Sequence, residues 1–270
     1  MKFALVNNQR IKAQPGLKGQ CSGCEQDVVA KCGTQKIWHW AHRATKACDS
    51  WSEPETEWHR AWKNKFPHEW QEVIQHDTQT GEKHIADIRT DHDLVIEFQH
   101  SRLDSQEQVA REQFYKNMIW IVDGTRLKRD IPRFTKGSNL LRRTAAQGYF
   151  LLACPEECFP KNWLESSVPV IFDFMGTTNT DERDIIRNTL WCLLPGRAEG
   201  SAVVVAMSRE QLVSVAPTRP TLIDVDGTMK TFKELIQIQR RASLASQRRQ
   251  ENKILQQQIR RAHGKKRRRF

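Results

Sequence analysis

The sequence predicts an α/β protein built on a mixed sheet (an α+β arrangement of elements), and three observations predict it. Between Pro54 and Asp123 the hydrophobic patterning gives the order helix, strand, strand, strand, helix, strand. A Cys/His-rich stretch precedes that core, and a Lys/Arg-rich segment closes the chain. Four regions follow: an N-terminal strand and metal-binding module over 1–50, the core over 51–125, an accessory α/β region over 126–234, and a basic helix with a disordered tail over 235–270.

Composition bounds the class. A chain of 270 residues can bury one large core or two modest ones. No apolar run reaches the roughly 20 residues of a membrane span. The apolar part of MKFALVNNQR is too short for a signal peptide. The expectation is a soluble, cytoplasmic protein without a membrane partner. Seven cysteines, an odd count, argue against a disulfide framework. The net charge of +11 is local: from Ile238 to the end there are twelve Lys or Arg against Glu251 alone. That segment carries the whole excess, so the tail and not the fold is basic. Its candidate phosphate contacts are Arg260, Arg261, Lys265, Lys266, Arg267, Arg268 and Arg269.

Lys2 to Val6 reads as the first strand, with a turn near Pro15-Gly16. Cys21-x₂-Cys24 and His39-x₂-His42 then offer four ligands of the kind Zn²⁺ takes tetrahedrally. Val28–Ala30 and Lys36–Trp38 form the intervening hairpin. Cys32 and Cys48 compete as ligands, and the alternative is free buried thiols with two packed imidazoles. A closed four-ligand site serves folding.

Ser52-x-x-Glu55 has the form of a capping box, with Pro54 at the first helical position. The helix should run to about Phe66. Glu55, His59 and Trp62/Lys63 share one face, and Trp58 and Trp62 are core. A strand near Trp70–His76 and a turn at Thr78–Gly81 come next. His84 to Gln99 is a hairpin, with arms Ile85–Arg89 and Leu94–Gln99 around Thr90–Asp93. Alternation sets Leu94, Ile96 and Phe98 on one face, and Val95, Glu97 and Gln99 on the other. Asp87 lies on the opposite arm. Carboxylates in apolar strands need a positive partner, and the second arm carries no Lys or Arg. Mg²⁺ meets that need; a half-exposed, wet sheet is the alternative.

A second helix over Ser105–Asn117 aligns Arg111 with Tyr115, and Met118–Val122 is a buried strand. Farther on, Tyr149–Ala153, Val168–Phe174 and Ala202–Ala206 read as strands, and Asp181–Leu193 and Ser208–Val213 as helices. Asp173 reads as structural, and two or three of Cys154, Cys158 and Cys192 should be buried thiols. Lys230–Gln258 is helix-prone, and Gly264–Arg269 should be disordered.

Several motifs together resemble the competence protein CoiA family within the PD-(D/E)XK nuclease superfamily. They are Cys21-x₂-Cys24, HWAH at His39–His42, E-T-x-x-H at Glu55–His59 with Lys63, ADI at Ala86–Ile88, IEFQHS at Ile96–Ser101, Arg111-x₃-Tyr115 and IWIV at Ile119–Val122. The resemblance covers about residues 1–125. It implies a restriction-endonuclease-like αβββαβ core and an endonuclease that hydrolyses DNA in uptake and recombination. It further implies that Asp87 and Glu97 bind Mg²⁺ (or Mn²⁺), that Gln99 holds the place of a catalytic Lys, and that Glu55 is an outer carboxylate. Arg111 and Tyr115 would flank the scissile phosphate. Gln99 is a neutral amide and cannot serve as cation or general base, so Lys63 is a candidate for the missing charge. Two other functions compete: a DNA-binding recombination accessory that does not cut, and a scaffold whose tail binds RNA. DNA in duplex, branched or single-stranded form is the expected partner; the oligomeric state stays open.

Overall fold

The computed structural model describes residues 1–43, 48–51, 53–77, 80–177 and 181–266, with side chains as far as 257. Contacts divide the chain into two units, 1–196 with 201–223, and 197–200 with 224–270.

The first unit begins with a small antiparallel sheet. Its strands are β1 (Phe3–Val6), β2 (Gln9–Lys12), β3 (Lys18–Gln20), β4 (Asp27–Lys31) and β5 (His39–His42), in the order β2-β1-β3-β4-β5. Asn7 and Asn8, at φ 49° and 62°, join β1 to β2. Two left-handed residues in a two-residue loop match the twist of a hairpin, and Asn tolerates that region better than most side chains. The second arm of the metal-module hairpin is β5 and not Lys36–Trp38, because Trp40 is the residue that reaches the core (1% exposed) and its ring donates to Ile11 O at 2.9 Å.

A nine-stranded mixed sheet follows. Its elements are α1 (Glu57–Lys63), β6 (Gln71–His76), β7 (Lys83–Arg89), β8 (Val95–Gln99), α2 (Ser105–Tyr115), β9 (Met118–Asp123), α3 (Asp130–Gly137), β10 (Arg142–Arg143), β11 (Tyr149–Leu152), β12 (Val170–Asp173), α4 (Ile185–Asn188), β13 (Leu190–Leu193), β14 (Ala202–Met207) and α5 (Arg209–Val215). The strand order is β10-β11-β14-β13-β12-β9-β8-β7-β6. The expected αβββαβ order is present from α1 to β9. The sheet does not stop there: β12 adds in parallel to β9, and β13, β14 and β11 continue it. Residues 126–207 therefore build onto the same sheet as the core. Ile119, Trp120 and Ile121 are buried at its centre, each worth about 1.5–3 kcal/mol of apolar burial.

Several boundaries differ from the sequence expectation. Ser52 and the turn residues Thr78 and Gln79 lie outside the described residues. The cap of α1 is Thr56, whose Oγ1 accepts from His59 N at 3.3 Å while Thr56 N donates to His59 Nδ1. The helix therefore starts after Pro54 and Glu55. It ends at Lys63 because Lys65 N and Phe66 N close tighter turns onto Trp62 O and Lys63 O. The helix expected over Asp181–Leu193 shrinks to α4; Leu190–Leu193 are all buried and pair as β13 between β12 and β14. Tertiary burial overrides helix-compatible patterning there.

Asp173 has the structural place expected of it. Buried at the end of β12, it accepts from the indoles of Trp58 at 3.1 Å and Trp62 at 2.9 Å and from Met175 N at 3.0 Å, and it pairs with Arg209. One carboxylate thus fixes α1 and α5 to the sheet.

The second unit is dominated by α6 (Val225–Lys266), opened by Asp224 Oδ1 accepting from Gly227 N at 3.0 Å. Arg240 Nη1 pairs with Glu199 Oε2 at 2.8 Å. Leu235, Ile238, Leu244, Ile254 and Leu255 are exposed on α6. The helix takes in Gly264–Lys266, which the sequence reading left disordered, because strong helix formers precede them without a break. The side chains of Arg260, Arg261, Lys265 and Lys266, and all of Arg267, Arg268 and Arg269, lie outside the described residues. Among the described residues, no helix is long and apolar enough to cross a membrane.

Replacing Asp173 by Ala should strand a buried guanidinium and two indole N–H groups. Urea unfolding should show a loss of about 3–5 kcal/mol; a loss below 1 kcal/mol would contradict the hub.

Candidate active site

The hairpin β7–β8 is where the chemistry collects. The two strands pair at Ile88↔Ile96 and Arg89↔Val95, and the ladder lapses at Asp87 and Glu97. Side chains take over the bonding: Asp87 N donates to Glu97 Oε1 at 3.0 Å, and Phe98 N donates to Asp87 Oδ2 at 3.0 Å. The carboxylates sit across a local opening of the sheet. On the other side, β6 pairs with β7 at Gln71↔Ile88 and Val73↔Ala86 but skips Glu72, which has φ 50° opposite Asp87. A left-handed non-glycine residue costs on the order of 1–3 kcal/mol. It turns the Glu72 carboxylate out to accept from Lys2 N at 2.7 Å and Phe3 N at 3.1 Å, which joins β1 to the large sheet.

The positive partners come from the helices, not from the strand. Lys63 Nζ, buried on α1, lies 2.7 Å from Asp87 Oδ1, 3.3 Å from Glu72 Oε1 and 3.8 Å from Glu55 Oε1. Arg111, buried on α2, reaches Glu97 Oε2 at 3.1 Å, Glu107 Oε1 at 2.5 Å and Trp51 O at 2.6 Å. These cations meet the desolvation need that the sequence reading assigned to a metal alone. Glu55, His59, Lys63, Asp87, Glu97, Arg111 and Tyr115 line one cavity of about 80 Å³, with Glu53, Glu72 and Trp51 also in its wall.

The electrostatics follow from burial and charge. Burial, then Asp87, pushes Glu97 up to about 8, against the pull of Arg111. Burial would lower Lys63, but Asp87, Glu72 and Glu55 outweigh it and hold the ammonium charged. Burial and the Glu97 charge raise the Tyr115 phenol far above its ordinary value, so it is a hydrogen-bond donor and not a base. Burial would raise Glu72 too; Lys63 and the Lys2 and Phe3 amides instead hold it near 2.

Gln99 does not line this cavity. Its Nε2 donates to Glu53 Oε1 and, at 3.3 Å, to Ser101 O. It touches the wall of that cavity through Glu53. Sequence reasoning missed Glu53 and Glu72 because their roles depend on a loop and a strand distortion that periodicity does not encode.

The metal module holds Cys21, Cys24, His42 and Cys48, with ligand atoms all within 4.8 Å of one another. Cys21 Sγ and Cys48 Sγ are 3.7 Å apart, and Cys24 Sγ and His42 Nε2 are 3.3 Å apart. Tetrahedral Zn²⁺ with Zn–S bonds of about 2.3 Å separates two sulfurs by about 3.8 Å, so the donor set fits a zinc knuckle. Cys48 takes the place expected for His39. The reason is geometric: His39 and His42 are three apart on β5, so they face opposite ways. His39 Nδ1 lies 2.8 Å from Ile37 O, on the same open groove as Cys32.

A short strap links the two sites. Asp49, next to Cys48, accepts from Ile85 N at 2.8 Å and holds His84 Nδ1 at 2.9 Å. Trp51 stacks on His84 and supports Arg111.

Two family models match this chain: competence protein CoiA, N-terminal domain, over residues 6–50, and competence protein CoiA, nuclease-like domain, over 72–158. The two matches support a CoiA-like family protein. The N-terminal match spans all four knuckle ligands. The nuclease-like match spans Asp87, Glu97, Gln99, Arg111 and Tyr115 and extends beyond the 125 residues of the resemblance seen in the sequence. Glu55 and Lys63 of this CoiA-like chain lie between the two matches. No curated protein and no solved structure matches the chain.

Two measurements check the geometry. Purified protein should carry one zinc by elemental analysis; Cys48→Ser should lose it and His39→Ala should keep it. Glu72, depressed from 4.5 to about 2, stabilises the fold above pH ~4.5, and that contribution disappears as pH falls through 2. Glu72→Gln should therefore cost on the order of 3 kcal/mol at pH 7, with its urea-unfolding curve converging on wild type near pH 2. A pH-independent gap would exclude the linkage.

Proposed function

We propose that this CoiA-like protein is a metal-dependent endonuclease that hydrolyses phosphodiester bonds in DNA. The observation that carries the reading is the meeting of Asp87 and Glu97, from adjacent strands, at one cavity where each faces a helix-borne cation. The oxygen donors of Asp87 and Glu97 suit Mg²⁺ or Mn²⁺, with Glu55 and Glu53 close behind. A divalent ion held there supplies Lewis acidity, easing deprotonation of water and offsetting charge on the phosphate.

The remaining work falls to the chain. Lys63 supplies the ammonium that position 99 lacks, from α1 instead of β8. Preorganised cations aimed at developing negative charge are a large source of rate enhancement. Arg111, anchored on Glu97 and Trp51, and the protonated Tyr115 form the phosphate-facing wall. Gln99 holds Glu53 in place. The knuckle sets the strap that carries Trp51, and the basic residues of α6 and the tail gather DNA by phosphate contacts.

A second reading, a DNA-binding recombination accessory that does not cut, has its own observation: every oxygen of Asp87 and Glu97 already has a protein partner. Carboxylate oxygens have spare lone pairs, so that bonding does not bar an ion. Nicking of supercoiled plasmid with Mg²⁺ separates the two. Asp87→Ala should abolish it, and Lys63→Gln should slow it roughly a hundredfold while leaving DNA affinity intact. Unchanged turnover in Lys63→Gln removes the lysine from the mechanism, and binding without any nicking favours the accessory.

A further inference from the structure

Strands β8, β9 and β12 run parallel and end side by side at Gln99, Asp123 and Asp173. Ligands of open α/β sheets lie outside the carboxyl ends of such strands. A second cavity, of about 550 Å³, occupies that place beyond β8 and β9. Its wall includes Gln99, His100, Arg102, Asp123, Arg126 and Arg129.

The charges in this wall are unequally committed. Asp104 caps α2, accepting from Gln106 N at 2.8 Å. Asp123 holds His100 Nδ1 at 2.7 Å and accepts from Thr125 N at 2.8 Å. Asp130 stands 3.4 Å from Arg133 Nη1. Arg102, Arg126 and Arg129 are exposed and, among the described residues, have no carboxylate within ion-pair distance. Asp104 and Asp123 are engaged; among the described residues, buried Asp130 has an Oδ1 without a hydrogen-bond partner and feels the charge of Arg129 and Arg126 without forming an ion pair with either, so the three guanidinium forks stay open. Guanidinium forks match phosphate oxygens in pairs.

Two further groups of this crevice lack partners among the described residues. Gln99 is 1% exposed, and its Oε1 has no hydrogen-bond partner. Its amide cannot be reversed without setting oxygen against the Glu53 carboxylate, so the acceptor awaits a donor from a ligand or its hydration shell. His100 is oriented by Asp123, which leaves Nε2 facing away from that bond. The His100 ring lies 6.0 Å from that of His59, which lines the acidic cavity. The two cavities are neighbours.

We propose that this crevice is a second anion subsite, which holds a neighbouring phosphodiester of the same DNA strand through Arg102, Arg126 and Arg129. The identity of the ligand rests on the nuclease reading; the anion site itself does not. It assigns strand-tracking to the sheet and leaves α6 with capture alone.

The experiment is a salt titration of full-length, zinc-loaded protein on a labelled single-stranded oligodeoxynucleotide, with Ca²⁺ in place of Mg²⁺ and no chelator, so that the knuckle stays intact while cleavage is suppressed. Arg102→Gln/Arg126→Gln/Arg129→Gln should bind at least tenfold more weakly at ~0.1 M salt. The slope of log K against log salt should fall by about two, at roughly 0.7 per phosphate contact on a single strand. These side chains are exposed, so the melting temperature should not move; if it does, Arg102→Gln and Arg126→Gln alone should each lower the slope by about 0.7. Wild-type slope and affinity in these variants overturn the subsite, even if Asp87→Ala abolishes nicking. A reduced slope in a protein that never nicks DNA retains the subsite and discards the nuclease reading.

Discussion

Two carboxyl groups in adjacent strands, Glu97 buried and Asp87 half-buried, are the constraint on which the rest of the large sheet depends. Asp87 and Glu97 repel each other, and both have lost water. Lys63 and Arg111 relieve the repulsion only because α1 and α2 are held at the right height over the sheet. The Asp173 hub fixes α1, and the Trp51 carbonyl and Glu107 fix the Arg111 fork. Much of the polar bonding in the core therefore serves to bring two cations to two anions.

The sequence made the main axis legible. Strict alternation in β8 separates Leu94, Ile96 and Phe98 from Glu97, and the apolar run at Met118 marks the buried β9. The i, i+4 spacing on α1 brings His59 and Lys63 to one cavity, and Glu55, just ahead of the helix cap, joins them there. What stayed hidden had physical causes. Lys63 on the first helix was legible as a source of positive charge, but the reach of Arg111 from α2 to Glu97 depends on tertiary packing. Alternation along β5 already separates His39 from His42, yet finger-like spacing drew attention away from it. The Asn7-Asn8 pair is a hairpin signal that went unread. Asp181–Leu193 has helix-compatible composition, and only its burial between two strands makes part of it β13.

The small sheet and the large one are joined by polar groups as much as by apolar packing. Glu72 adopts a strained backbone and gains the amide donors of Lys2 and Phe3, at the start of β1, together with the ammonium of Lys63. Strain at this point is offset by charge-assisted hydrogen bonds, which are stronger than neutral ones. The same distortion clears the ladder opposite Asp87. A backbone irregularity thus sits where the chemistry is placed, as strained positions often do.

The strap from Cys48 to Trp51 packs three unrelated duties into four consecutive residues: a thiolate donor, a clamp on the edge of β7, and an aromatic buttress for a guanidinium. Each duty fixes the chain to a different neighbour, so the spacing between them is rationed to the residue. Lengthening this stretch by one amino acid would leave each side chain chemically intact, yet the three attachments could no longer all be made at once. A side chain in this strap can be exchanged one at a time, but its length cannot change without breaking an attachment.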